Sequence, residues 1–194
     1  MTRVGDAQTN ERPSWIRKDI DAEIIPVMIG RQVWMKRNLA VSTFSNGDTI
    51  QEAKTNKEWK AAFDQHRSVW CYYENDSING SKYGKLYNWY AVNDPRGLAP
   101  RGWHIPSDKE WTILADTLGE EKAGALLKND SGWDSPIGKS GNGNNASGFS
   151  ALPGGYRKGG SSMGSFSGVG YSGLWWSSTT QLFRQSGNNL YPAL

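Results

Sequence analysis

Apolar residues return at helical spacing in two places along the chain. Trp59, Ala62 and Phe63 follow Thr55-Asn56-Lys57-Glu58, and Trp111, Leu114, Ala115 and Leu118 follow Ser107-Asp108-Lys109-Glu110. In each case a Thr or Ser stands three residues before a Glu. The hydroxyl can accept from the Glu N–H while the carboxylate reaches back to the Thr or Ser N–H, so each reads as a capping box. The spacing predicts helices over about 56–65 and 108–118. The second has a full i, i+3, i+4, i+7 stripe, Asp108 in its first turn where the helix dipole favours a negative charge, and Gly119 placed to end it.

Shorter apolar runs predict strands. Order begins at Ile24-Ile25-Pro26-Val27, and Gln32–Met35 and Arg67–Glu74 read as strands. Asn46-Gly47-Asp48 reads as a turn and Asn75–Gly80 as a polar loop. Tyr83–Val92 has aromatics at 83, 87, 89 and 90 and fits strand or helix; periodicity leaves both open. Residues 1–23 are polar and charged and read as a solvated arm without the apolar core of a secretory signal. That leaves 24–194 as a single domain. More than half of the 23 glycines lie between 132 and 173, with Phe149, Tyr156, Phe166, Tyr171, Trp175 and Trp176 among them. Such interleaving predicts long loops held by aromatic anchors rather than disorder.

Composition narrows the function. Ten Trp and eight Tyr in 194 residues make aromatic area a large share of the core. The net charge is only +3, and basic residues run no longer than pairs such as Arg17-Lys18 and Lys36-Arg37, so no nucleic-acid partner is expected. No apolar run approaches the ~18 residues of a membrane span. The single cysteine, Cys71, excludes an internal disulfide and a multi-cysteine zinc site, and its apolar run predicts a buried, inert thiol.

Gly102-Trp103-His104-Ile105-Pro106-Ser107-Asp108-Lys109-Glu110-Trp111 gathers a histidine, two carboxylates and two tryptophans. Capping accounts for both carboxylates, Trp111 reads as core, and His104 reads as a structural histidine. His66 and His104 are the only histidines and have no metal-ligand spacing. There is no Gly-x-Ser-x-Gly elbow, and Gly141-Asn142-Gly143-Asn144-Asn145 is neither a Walker loop nor a dinucleotide fingerprint. Asn75, Asp76 and Asn79, and Asp130 with Asp134, carry oxygens suited to calcium, but such residues are usually turn formers. Glu74, Asp76 and Glu110 are the carboxylates from which a glycosidase pair would have to come. The expectation is no catalytic residue, no metal and no cofactor.

Five segments in order carry a resemblance. They are Asn46-Gly47-Asp48, Tyr83–Val92, Gly102–Trp111, Gly148-Phe149-Ser150-Ala151-Leu152-Pro153-Gly154-Gly155-Tyr156-Arg157, and Trp175-Trp176-Ser177-Ser178-Thr179. Together, over about 27–180, the chain resembles the Fibrobacter succinogenes major paralogous domain. The resemblance implies an α+β, C-type-lectin-like fold with two short helices, small antiparallel sheets and a long Gly/aromatic-rich loop region. It also implies a distant similarity to formylglycine-generating enzymes, which share the Pro-Ser/Thr-x-x-Glu-Trp helix start. It carries no established catalytic residues.

Three departures stand out. Ala99 occupies a position where family members often have a cysteine, paired with another in a closing strand. Leu190-Tyr191-Pro192-Ala193-Leu194 does not match that strand, and there is no signal peptide. A missing closing strand would leave a sheet edge open to a partner chain or a second copy. The Glu-Pro-Asn, Gln-Pro-Asp and Trp-Asn-Asp motifs of calcium-dependent sugar binding are absent.

The expected function is a non-enzymatic binding or adhesion domain for a surface glycan or protein, at the cell surface or outside the cell by resemblance. A phage or diversified receptor-binding protein, on a phage particle or in the cytoplasm, is the first alternative. An enzyme of the formylglycine or glycosidase type is the second. Tyr156, Arg157, Phe166, Tyr171, Trp175 and Trp176 are the candidate ligand-binding residues. At least two of the first four, with one tryptophan, are expected to line a single shallow groove.

Overall fold

The computed structural model describes residues 1–4, 24–135, 140–159 and 164–179. These form three small sheets and five short helices joined by long connections, an α+β arrangement.

The first sheet holds β1 (Thr2–Val4), β2 (Pro26–Ile29) and β3 (Gln32–Met35) in the order β1-β3-β2, both pairings antiparallel. A two-residue turn joins β2 to β3. Gly30 supplies the positive φ of 59° that such turns need, and a Cβ there would come within 2.7 Å of Thr117 Cγ2. The arm expected over residues 1–23 is thus corrected at its start. Thr2 is fully buried, and β1 satisfies backbone groups along β3 that would otherwise form a raw edge. β3 is therefore flanked on both sides by its own chain. Residues 5–23 and the divergent tail at 190–194 lie outside the described residues.

The second sheet holds β4 (Gln51–Glu52), β5 (Val69–Cys71) and β6 (Leu86–Tyr87). Its β4–β5 pairing is parallel, so the expectation of wholly antiparallel sheets is corrected there. The third sheet pairs β7 (Gly154–Arg157) with β8 (Phe166–Val169).

Helices α1 (Asn56–Asp64) and α4 (Asp108–Leu118) fall where the capping boxes place them. Thr55 Oγ1 accepts from Glu58 N–H at 3.1 Å while Glu58 Oε2 accepts from Thr55 N–H at 2.8 Å. Ser107 and Glu110 repeat the exchange at 3.3 and 2.8 Å. Gly119 closes α4 in the left-handed conformation. Three further helices add to the two expected, one of them in the stretch left open between strand and helix. Residues read as a polar loop begin α2 (Ser77–Tyr83), where Asp76 accepts from Ile78 N–H as N-cap. The ambiguous stretch 83–92 divides into β6 and α3 (Trp89–Val92), and α5 (Ala123–Leu127) follows α4.

Three apolar clusters form the core. The first packs the β2–β3 hairpin against α4 and α5 around Trp34, Leu114, Leu127 and Phe149, with Trp111 and Trp175 packed on it. Trp34 and Trp111 lie 4.7 Å apart, centroid to centroid. The second gathers Trp70, Tyr87, Val92, Leu98 and the loop residues Phe44 and Ile50. The third sets Trp59 and Ala62 of α1 against Val69 and Cys71. Indole N–H groups pin the connections to these clusters. Trp70 donates to the Ile50 carbonyl at 2.9 Å and Trp133 to the Ala151 carbonyl at 2.9 Å.

Candidate functional site

The structure separates the six residues that the sequence nominated. Arg157 is buried, at 8 % exposure. Its guanidinium lies 4.8 Å from the Trp59 ring centre and 4.7 Å from that of Phe166. It donates to the carbonyls of Ala53 (2.8 Å) and Gly164 (3.1 Å) and to Asn56 Oδ1 (3.1 Å). Those donors are spent within the molecule, so Arg157 is corrected from a surface recognition residue to an interior brace. Phe166 is half-buried against Tyr73. Tyr156 is half-buried on β7, and Tyr171 is 56 % exposed in the turn after β8.

Trp175 and Trp176 do meet in one cavity of about 110 Å³, between the first and second clusters, but none of the other four lines it. The expected shared groove is not formed there. The prediction of one inward and one outward tryptophan rested on an extended strand, and residues 174–177 are not a strand. The division of roles appears all the same. Trp175 packs on the first cluster and donates to Asn38 Oδ1 at 2.9 Å, while Trp176 stays 40 % exposed.

Trp176 belongs to an aromatic face that the sequence reading did not assemble. Its ring lies 5.7 Å from that of Trp89 on α3. Asn88 caps α3, accepting from the Ala91 and Val69 N–H groups at 3.0 and 3.1 Å. Ala91 and Val92 are buried, so Trp89 and Tyr90 take the outer positions of this single turn. Tyr90 continues the face to Phe63, at 6.1 Å and itself 49 % exposed, and to His66 at 5.0 Å. On the other side lies an open depression of about 600 Å³ lined by Trp103, His104, Arg101, Asn46, Val92 and Ser178. Val92 shares α3 with Trp89, and Ser178 is two residues beyond Trp176, so chain neighbours of both indoles line the depression.

Among the tryptophans, Trp34, Trp70, Trp111, Trp133, Trp175 and Trp176 donate their indole N–H to protein acceptors. Buried Trp59 and half-buried Trp89 and Trp103 donate to none among the described residues. Trp59 lies in the core under Arg157, whereas Trp89 and Trp103 reach the surface with a donor that no described group takes. One signal in the sequence could have found Trp89. In Trp89-Tyr90-Ala91-Val92 the small residue and the aliphatic one suit the interior, which turns the two aromatics outward.

Arg101 is exposed and forms no ion pair among the described residues, while the other charged groups around this face are held by neighbours. Glu110 Oε1 lies 2.6 Å from His104 Nε2, while its other oxygen caps α4. Burial by itself would raise the Glu110 carboxyl. The Ser107 N–H, His104 and the Ser107 hydroxyl outweigh that and hold it below its ordinary value. The Gly102–Trp111 stretch thus forms a helix cap with a histidine attached. Arg96 bridges Asp94 at 2.8 Å and Asp48 at 3.2 Å, stapling the 44–48 turn to the chain after α3. That guanidinium, with help from the Ser68 hydroxyl, holds Asp94 far below the usual carboxylate range. Cys71 is buried, and burial pushes its thiol up to about 11 although Arg157 pulls the other way. Among the described residues no cluster of three or more His, Cys, Asp or Glu is arranged to hold a metal. Of the calcium candidates, Asp76 Oδ1 is taken by the Ile78 N–H, and the Asn79 amide donates to the Tyr73 carbonyl. The aromatic face and its depression therefore present flat rings, indole donors at Trp89 and Trp103, the Arg101 guanidinium, and amide and hydroxyl groups at Asn46 and Ser178.

No helix among the described residues is long and apolar enough to cross a membrane. No curated protein and no solved structure matches the chain. The family model described as the Fibrobacter succinogenes major domain matches residues 27–189, so the chain belongs to that family.

Proposed function

We propose that this chain is a non-enzymatic binding domain that contacts a glycan or protein of a cell or particle surface through the Trp89–Trp176 face. The observation that carries the reading is the surface indole pair, Trp176 exposed and Trp89 half-buried, near a depression walled by a third tryptophan. Monomeric proteins rarely leave contiguous large aromatics in water without a partner for them. Flat rings with unspent N–H donors suit sugar faces, whose C–H groups stack while their hydroxyls accept. Asn46, Ser178 and His104 add polar groups around the depression. A C-type-lectin-like fold and a place at the bacterial surface belong to the same proposal. The hairpin sheet, the two capped helices and the aromatic-anchored connections support that fold.

Nothing specific favours the enzyme alternatives. A thiol pushed up to about 11 is a poor nucleophile near neutral pH, which weakens the formylglycine-type reading.

A glycan array with the purified chain, with and without calcium, tests the proposal, alongside Trp89→Ala and Trp103→Ala. These two variants leave the indole hydrogen bonds that pin the core intact. The expected result is a ligand whose affinity falls by about tenfold or more in at least one variant, some 1.4 kcal/mol, with melting temperature held. Full-strength binding by both variants would overturn the assignment of the face.

A further inference from the structure

A second concavity, of about 430 Å³, is lined by neither Trp89 nor Trp176. Three separate segments wall it: the loop after β3 (Lys36, Arg37), helix α2 (Lys82), and the stretch around Asn129 and Ser150. Its volume falls in the range of about 300–1,000 Å³ typical of small-ligand sites, which the 110 Å³ cavity does not reach.

Charge distinguishes this groove. The chain carries 22 basic and 19 acidic residues, so a random stretch of its surface mixes both signs. Here three cations face one hollow, and no Asp or Glu lines it. Among the described residues none of the three forms an ion pair. Lys82 Nζ lies over the Tyr83 ring at 4.8 Å, which steadies it without neutralising it. Like charges gathered without a counter-charge cost stability, and a bound anion removes that cost. The floor is fixed in advance. Asn38, between the cavity and the groove, donates to the Tyr83 carbonyl at 2.9 Å and accepts from Trp175 at 2.9 Å. Gly80 and Gly84 line the same hollow because their missing side chains let the Tyr72 ring and the Leu39 carbonyl pack close behind them. Exposed Ile25 at the rim offers an apolar shoulder.

We propose that this groove is an anion-recognition site for an acidic oligosaccharide, its carboxylate or sulfate held by Lys36, Arg37 and Lys82. Arg37 supplies a planar fork suited to two oxygens at once, and the lysines supply point charges. Three cations in a hollow fit one or two acidic sugar rings. They do not form the extended basic stripe that a nucleic-acid backbone requires. The anion site stands on the groove alone; its saccharide carrier rests on the glycan reading above.

The test is titration of the full chain with trigalacturonate, a sulfated tetrasaccharide, a neutral trisaccharide, an Asp/Glu-rich peptide and inorganic sulfate, at low and at high salt. The wild type, the triple variant Lys36→Gln/Arg37→Gln/Lys82→Gln, and Trp89→Ala are compared. All three substitutions are at the groove surface, and melting curves verify folding. The expected result is binding of at least one acidic oligosaccharide that weakens as salt rises and falls about tenfold or more in the triple variant. Silence of both acidic oligosaccharides, or equal binding by the triple variant, overturns the proposal. Equal or tighter binding of the peptide or of inorganic sulfate overturns the saccharide assignment. A neutral sugar bound through Trp89 with the acidic ones silent sinks this inference and leaves the binding function standing. Acidic binding is expected to be untouched in Trp89→Ala, because Trp89 does not line the groove.

Discussion

Arg157 shows what a cation needs in order to stay inside a protein. Among the described residues no carboxylate pairs with it. Instead it finds two backbone carbonyls, the Asn56 amide oxygen and the faces of Trp59 and Phe166. Burying a charge without such partners would cost several kcal/mol. The arrangement depends on a planar fork whose N–H groups point in fixed directions between two rings, which an ammonium on a flexible stem cannot reproduce. Arg157→Lys is therefore expected to lower unfolding stability by about 2–4 kcal/mol in urea titration. A stability within ~0.5 kcal/mol of the wild type would show that charge alone suffices. The role was not legible in the sequence. Tyr156-Arg157 looks like a surface pair, and the acceptors at 53, 56 and 164 reach Arg157 only after folding.

At the scale of elements, the cap on α4 makes a direct prediction. Glu110 accepts from the Ser107 N–H and pairs with His104, and its carboxyl lies below its ordinary value. A carboxylate depressed in the folded state stabilises it fully above the unfolded value of about 4.3. That contribution disappears as pH falls through the folded value. Glu110→Gln should lose about 0.5–2 kcal/mol near neutrality and show a smaller further loss on acidification than the wild type. Parallel acid limbs for the two proteins would remove Glu110 from the account. Both capping-box helices were legible because a cap, a first turn and an apolar stripe are local facts. β1 was not, because what makes Thr2–Val4 a strand is the free side of β3, some thirty residues away. α2 was hidden for another reason. Asn75–Gly80 has loop composition, yet its Asp76 supplies an N-cap that starts a helix.

Across the whole molecule, three apolar clusters and side-chain pins hold long connections in place, with no metal-binding cluster among the described residues. Incubation with a chelator should leave the melting temperature unchanged, measured by calorimetry; a fall of several degrees would reveal a metal that the ligand inventory misses. The candidate sites were only partly legible. Trp176 was nominated from sequence, but its neighbours Trp89 and Trp103 lie in stretches whose type the pattern left undecided or assigned to a cap. Lys36-Arg37 was noticed only as a short basic pair, because Lys82 joins it through the fold and not along the chain.

Trp176 also occupies an unusual mechanical position. Its carbonyl accepts from Trp111, which packs on the first cluster, and its indole donates to the Tyr87 carbonyl in the second. A single residue near the solvent is thus wired in series between the two halves of the interior. A fluctuation that parts the halves must break one of these two bonds, so openings that begin on either side converge on one spot. A molecule resting on that ring damps both halves together. Amides in α4 and β6, the two elements these bonds reach, are then expected to exchange with solvent more slowly. Occupancy of the surface can be read in the deep interior, with no rearrangement of the backbone to carry the message.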